Sequence, residues 1–141
     1  MLIADADLQL RELLYAALLA VDIFCDCVST VPDALIKLHD EPYGVVLVDI
    51  ALPGGNAEQI VARIAELHRD TRPVVLVLAS NPALARSLDI DIVQIVLRKP
   101  LALRSTVELI RSCVQSASAR LLLAEEEGNG NGDQLTSRPV S

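Results

Sequence analysis

The chain has 141 residues, 52% hydrophobic and only 2% aromatic, with a formal net charge of −7. That length suits one domain with an ordinary core, which must be built from Leu, Ile, Val and Ala, a composition fit for buried parallel strands under helices. The acidic balance, with no basic cluster to offset it, argues against a phosphate-backbone binder, so no nucleic-acid partner is expected.

The first apolar run, MLIA, reads as a strand and stops at Asp5, too early for a signal peptide. The stretch LQLRELLYAALLAV carries Arg11 and Glu12 and is too short to span a bilayer. A cytoplasmic protein without a membrane partner is the expectation. Residues 8–20 place Leu10, Leu13, Leu14 and Ala17 on one helical face. IFCDCVS then alternates like a strand, and Thr30 with Asp33 resembles a capping box opening the helix ALIKLHDE. Cys25, Cys27 and Cys113 form no CxxC, and His39 and His68 lie apart, so zinc spacing is absent. These thiols read as small core residues of a reducing compartment.

GVVLVDI is the clearest buried strand, and LPGGN after it is turn chemistry. Asn56 and Gln59 are placed to cap the next helix, AEQIVARIAELHR, whose apolar face is Ile60, Ile64 and Leu67. VVLVLAS after Pro73 is a fourth strand, and a short helix around PALARSL leads to a fifth, DIVQIVL. Lys99-Pro100 ends that strand, and a long helix starts near Leu103.

Alternating strands and helices predict an α/β fold, a doubly wound five-stranded parallel sheet with helices on both faces. Asp5, Asp49, Ser80 and Lys99 then fall at strand C-terminal ends, on the edge where open α/β sheets place their sites. A carboxylate such as Asp49, closing an aliphatic strand before a Pro-Gly-Gly loop, can bind Mg²⁺ or attack a phosphoryl group. The transferring oxygens need positive charge, which Mg²⁺ and Lys99 would supply. Asp5 beside Asp49 would be a like-charge pair, which argues for a cation between them.

The order LIADAD, LVDIALPGG and LRKPL resembles the receiver domain of two-component response regulators, over roughly residues 1–115. The resemblance implies a flavodoxin-like strand order 2-1-3-4-5, with Asp49 as phospho-acceptor and Lys99 as the phosphate-pairing lysine. It further implies a cis Lys99-Pro100 bond, and Mg²⁺ held by Asp5, Asp49 and the Ala51 carbonyl. A sensor kinase or other signalling protein is the implied partner. Three positions depart from that pattern. Ala6 stands where the second acid of the pair belongs, Leu78 where a hydroxyl would bond the phosphoryl group, and Val96 where an aromatic switch residue sits. Losing one hydrogen bond to a charged phosphoryl group costs about 1.5–3 kcal/mol. The expectation is a receiver-like module that works mainly through protein–protein contacts, with weakened Mg²⁺ binding and Asp49 a weakened phospho-acceptor. The alternative is a receiver switched fully by Mg²⁺-dependent phosphorylation of Asp49.

Leu103, Val107, Ile110, Val114, Ala117, Leu121 and Ala124 keep an unbroken 4-3 spacing. Up to Val114 this seam covers the domain's own sheet; beyond it, Ala117, Leu121 and Ala124 are expected to pack on a second copy or a partner. Residues 1–124 form the predicted receiver-like domain with its extended helix. Residues 125–141, rich in Gly, Asn and charge, read as a disordered tail or linker stub. The chain is not expected to be an enzyme. A remote alternative takes LIADAD as the first motif of a haloacid-dehalogenase-like phosphohydrolase using Asp5 and Asp7, which leaves Asp49 without a role.

Overall fold

The computed structural model describes the backbone of residues 1–137 and the side chains of residues 1–120, 122 and 123. Five strands, β1 (Leu2–Ala4), β2 (Asp26–Val28), β3 (Val45–Asp49), β4 (Val74–Ala79) and β5 (Val93–Arg98), pair in parallel in the order β2-β1-β3-β4-β5. Helices α1 (Leu8–Leu19), α2 (Val31–Asp40), α3 (Ala57–Ala65) and α4 (Leu103–Ser137) cover the sheet. The expected doubly wound architecture and strand order are both present.

Strand side chains point alternately to the two faces, so each strand feeds two cores. Leu2, Ala4, Val46, Val48, Val75 and Val77 pack toward α2 and α3. Ile3, Val45, Leu47, Val74, Leu76 and Leu78 pack toward α1 and α4. Every residue of β3 and β4 is buried, which explains their continuous aliphatic runs.

Local chemistry sets the helix starts. The Asp7 carboxylate accepts from Leu10 N–H to cap α1, and Thr30 Oγ1 accepts from Asp33 N–H to cap α2. Asn56 and Gln59 form a complete capping box at α3. The loop after β3 needs glycine at Gly54, whose φ is +87° and where a Cβ would meet Pro32 Cδ at 2.9 Å.

Three sequence expectations need correction. On α1 the buried stripe is Leu14 and Leu18 beside half-buried Leu10, while Leu13 is 56% exposed. Leu13 is rotated roughly 100° from Leu14 on a 3.6-residue helix, and the stripe is narrower than the apolar content. The segment expected as a helix around PALARSL is a 3₁₀ helix, Pro82–Ser87, opened by Asn81 accepting from Ala83 N–H. Ala117 is buried on the domain's own core rather than free for a partner. The reason is Gly44, just before β3: a Cβ there would lie 3.3 Å from that of Ala117, so its absence lets α4 pass closely over the strand start. Helix α4 extends to Ser137. The side chains of Leu121 and Ala124 and the structure of residues 138–141 lie outside the described residues.

Candidate functional site

The C-terminal ends of β1, β3 and β5 bring Asp5, Asp49 and Lys99 together. Backbone pairing continues one residue past three strands: Asp5 N–H bonds Val28 O at 3.1 Å, Ile50 N–H bonds Leu78 O at 2.8 Å, and Lys99 N–H bonds Ala79 O at 3.0 Å. These bonds fix the directions in which the site residues leave the sheet. The Lys99-Pro100 peptide is cis.

Lys99 Nζ lies 2.5 Å from Asp49 Oδ2 and 2.8 Å from Asp5 Oδ2, so one ammonium bridges two carboxylates. Asp5 is 1% exposed and Asp49 8%. The other oxygens are held locally: Asp5 Oδ1 accepts from Asp7 N–H at 2.9 Å, and Asp49 Oδ1 from Ala51 N–H at 2.8 Å. Asp5 Oδ2 meets the ammonium as an ion pair but outside hydrogen-bond geometry, which leaves it a buried oxygen without a directed donor. Burial works against the charge on Lys99, but its hydrogen bond to Asp49 and its attraction to Asp5 and Asp49 outweigh that, and its pKa is raised.

A point between Asp5 Oδ2 and Asp49 Oδ2 is therefore shaped for a cation. Two carboxylates are a thin but sufficient protein contribution to Mg²⁺, which favours hard oxygens and keeps several waters. Among the described residues no group of three or more His, Cys, Asp or Glu is placed to hold a metal ion. Ala6, exposed at the same turn, offers no third carboxylate.

The other expected positions fall as follows. Leu78 is directly opposite Asp49 in the β3–β4 register and is wholly buried in the aliphatic core. Val96 sits on β5 opposite Val77 and is 38% exposed. Ser80 is exposed in a cleft of about 460 Å³ beside Lys99, with Asp7, Leu10, Leu13 and Leu101. Asp7 caps α1, so its carboxylate is engaged away from the Asp5–Asp49 gap. Sequence reasoning missed Arg11, whose Nη1 donates to the Asp5 carbonyl at 2.6 Å. A cation one helical turn after the cap residue is a faint signal for such a brace. The cysteines show no sign of reactivity: burial pushes Cys25 up to about 11 and raises Cys27 and Cys113.

No protein-family model and no curated protein matches the chain. Solved structures do match in fold. A CheY-like response regulator receiver domain from Methylobacillus flagellatus aligns with TM-score 0.69 at 19% identity, covering 79% of this chain and 95% of that one. The signal receiver domain of a LuxO repressor protein from Vibrio parahaemolyticus gives TM-score 0.76 at 18% identity, over 86% and 94% of the two chains. Response regulator protein TrrA from Thermotoga maritima, solved with Mg²⁺ and BeF, gives TM-score 0.69 at 20% identity, over 79% and 96%. The chain thus has the receiver fold, along nearly the whole length of these proteins. No helix among the described residues is long and apolar enough to cross a membrane.

Proposed function

We propose that this chain is a receiver-like signalling module of a two-component system, working mainly through protein–protein contacts, with Asp49 a phospho-acceptor of reduced competence. The observation that carries it is the Asp5–Lys99–Asp49 triad on the C-terminal edge of a receiver-type sheet. A carboxylate with a lysine 2.5 Å away has a nucleophile and an anion-neutralising group in one place. The module accepts a phosphoryl group rather than acting as an enzyme.

Mg²⁺, where bound, would be held by Asp5, Asp49 and the Ala51 carbonyl, and would supply charge neutralisation to the transferring oxygens. Ala6 removes one carboxylate from that set, and Leu78 removes a hydroxyl partner of the phosphoryl group. Both losses act on the modified state, and Val96 leaves no ring to report it. Contacts with a sensor kinase or other signalling protein are therefore the main output. The cleft beside Lys99, with exposed Leu13 and half-buried Leu10 on its α1 side, offers an apolar docking surface next to the acceptor. The α4 segment beyond Arg120 extends this module toward a second copy or a partner.

The test is incubation with Mg²⁺ and a small phosphodonor, read by intact mass, on the native chain and on Asp49→Ala. The proposal expects a low-yield, Mg²⁺-dependent adduct that vanishes with Asp49→Ala, while partner binding survives the substitution. Full, stable modification whose loss abolishes partner binding would replace it with the phosphorylation-switched reading.

A further inference from the structure

At the opposite, N-terminal edge of the sheet, three arginines converge on a small polar cavity of about 170 Å³. Arg69 and Arg72 come from the connection before β4, Arg120 from α4, and Asp91 and Gln94 from the approach to β5 and its second residue. The six residues of β4 separate this cavity from the Asp49 end by about 20 Å at strand rise. In a chain of net charge −7, three arginines lining one small cavity form a local concentration of positive charge.

Hydrogen bonds hold Arg72 and Arg120 without neutralising them. Arg72 donates from Nε to Leu67 O at 3.1 Å and from Nη2 to Ala65 O at 2.7 Å, closing the last turn of α3. Arg120 donates from Nη2 to Arg72 O at 3.2 Å. All three acceptors are neutral carbonyls. Among the described residues the ion pairs made by arginine involve Arg63 alone, so Arg69, Arg72 and Arg120 have no carboxylate within 4.0 Å. Helix capping accounts for Nε and Nη2 of Arg72, and among the described residues its Nη1 makes no hydrogen bond. With Asp91 the one carboxylate among the described lining residues, those residues carry a net two positive charges.

We propose that this cavity is a binding site for a phosphate dianion, either free inorganic phosphate or the phosphoryl end of a phosphomonoester. A phosphoryl group carries about −1.5 to −2 charge and three acceptor oxygens, which match the charge and the several guanidinium faces. The volume lies below the roughly 300–1,000 Å³ of pockets that enclose a whole drug-sized ligand, so only the anionic end is held. Arg120 and Arg72 belong to different elements, and the anion clamps α4 onto the edge of the sheet. Because the guanidiniums are partly solvated, binding is strongest at low salt.

The experiment is a ¹H–¹⁵N NMR titration of the full chain at low ionic strength with inorganic phosphate, with AMP, and with chloride matched in ionic strength. Saturable shifts confined to the amides around Arg72, Asp91 and Arg120 are expected with phosphate or AMP and not with chloride; the tighter of the two identifies the source. Arg120→Ala should weaken the affinity about tenfold, as for one charge-assisted hydrogen bond lost. Asp91→Asn, which removes the one like charge, should strengthen it. Both positions are exposed, so neither variant threatens folding. Shifts that stay linear with concentration, match those of chloride, or ignore both substitutions would overturn the proposal.

Discussion

Replacing Lys99 with Met tests whether the ammonium holds the candidate site together. Met keeps the apolar stem and removes the charge, leaving Asp5 and Asp49 facing one another without compensation. Removing one partner of a buried ion pair costs about 3–5 kcal/mol. Lys99 is 20% exposed at its side chain and Asp49 11%, so water reaches part of the site and the lower end, about 3 kcal/mol, applies. For a domain of this size that is a fall in Tm of roughly 10 °C. Urea unfolding followed by circular dichroism at pH 7 measures it. Mg²⁺ should restore part of the loss in the variant, growing with the logarithm of its concentration, because the ion binds only the folded pair. The parent should respond less, since Mg²⁺ must there displace Lys99. The raised pKa of Lys99 sets the pH window: the parent's advantage is complete below the ordinary lysine value and fades as pH rises through the raised one. A variant as stable as the parent, with no response to Mg²⁺, would refute the bridging role.

Tyr43 Oη donates to Asp26 Oδ2 at 2.6 Å, and that bond is the main reason the Asp26 pKa is lowered. Tyr43→Phe should cost about 1.5 kcal/mol at pH 7, with the difference from the parent disappearing as pH falls through the depressed Asp26 value in an acid-unfolding series. Gly54→Ala forces a Cβ into a left-handed turn against Pro32 and should destabilise by about 1–2 kcal/mol in the same denaturant assay. Truncation after Arg120 keeps Ala117 in the core but removes the rest of α4. The shortened chain should stay folded and elute as a monomer in gel filtration, and an unchanged oligomeric state would exclude the extension as the contact between copies.

The sheet was legible in the sequence because β3 and β4 are buried on both faces and leave continuous aliphatic runs between turns. Its edge was legible because Asp5 and Asp49 each close an aliphatic run and Lys99 stands with Pro100 just past the end of β5. Where one face is enough for burial, the pattern was weaker. On α1, leucines outnumber the positions that the sheet can cover, so Leu13 shares the apolar periodicity of the helix although it faces the cleft. The connection 80–92 holds Leu84, Leu88, Ile90 and Ile92, a helical spacing, yet Pro82 and its Asn81 cap favour a tight 3₁₀ turn there. Ala117 was assigned to a partner because its cover comes from a glycine, and a missing side chain leaves no apolar signal. The arginine cavity joins residues 48 positions apart through a side chain-to-backbone bond, which no periodicity reveals.

Mg²⁺ affinity measured on the native chain and on Ala6→Asp tests the central claim most directly, because ligand charge count governs binding by hard-oxygen sites. Titration followed by the amide shifts of Asp5, Asp49 and Ala51 reads the site itself. A weak native site that tightens at least about tenfold with Ala6→Asp, one decade or 1.4 kcal/mol, is the predicted result. An affinity unchanged by the added carboxylate would contradict it, and with it the reading of this chain as a receiver whose metal grip is weakened at Ala6.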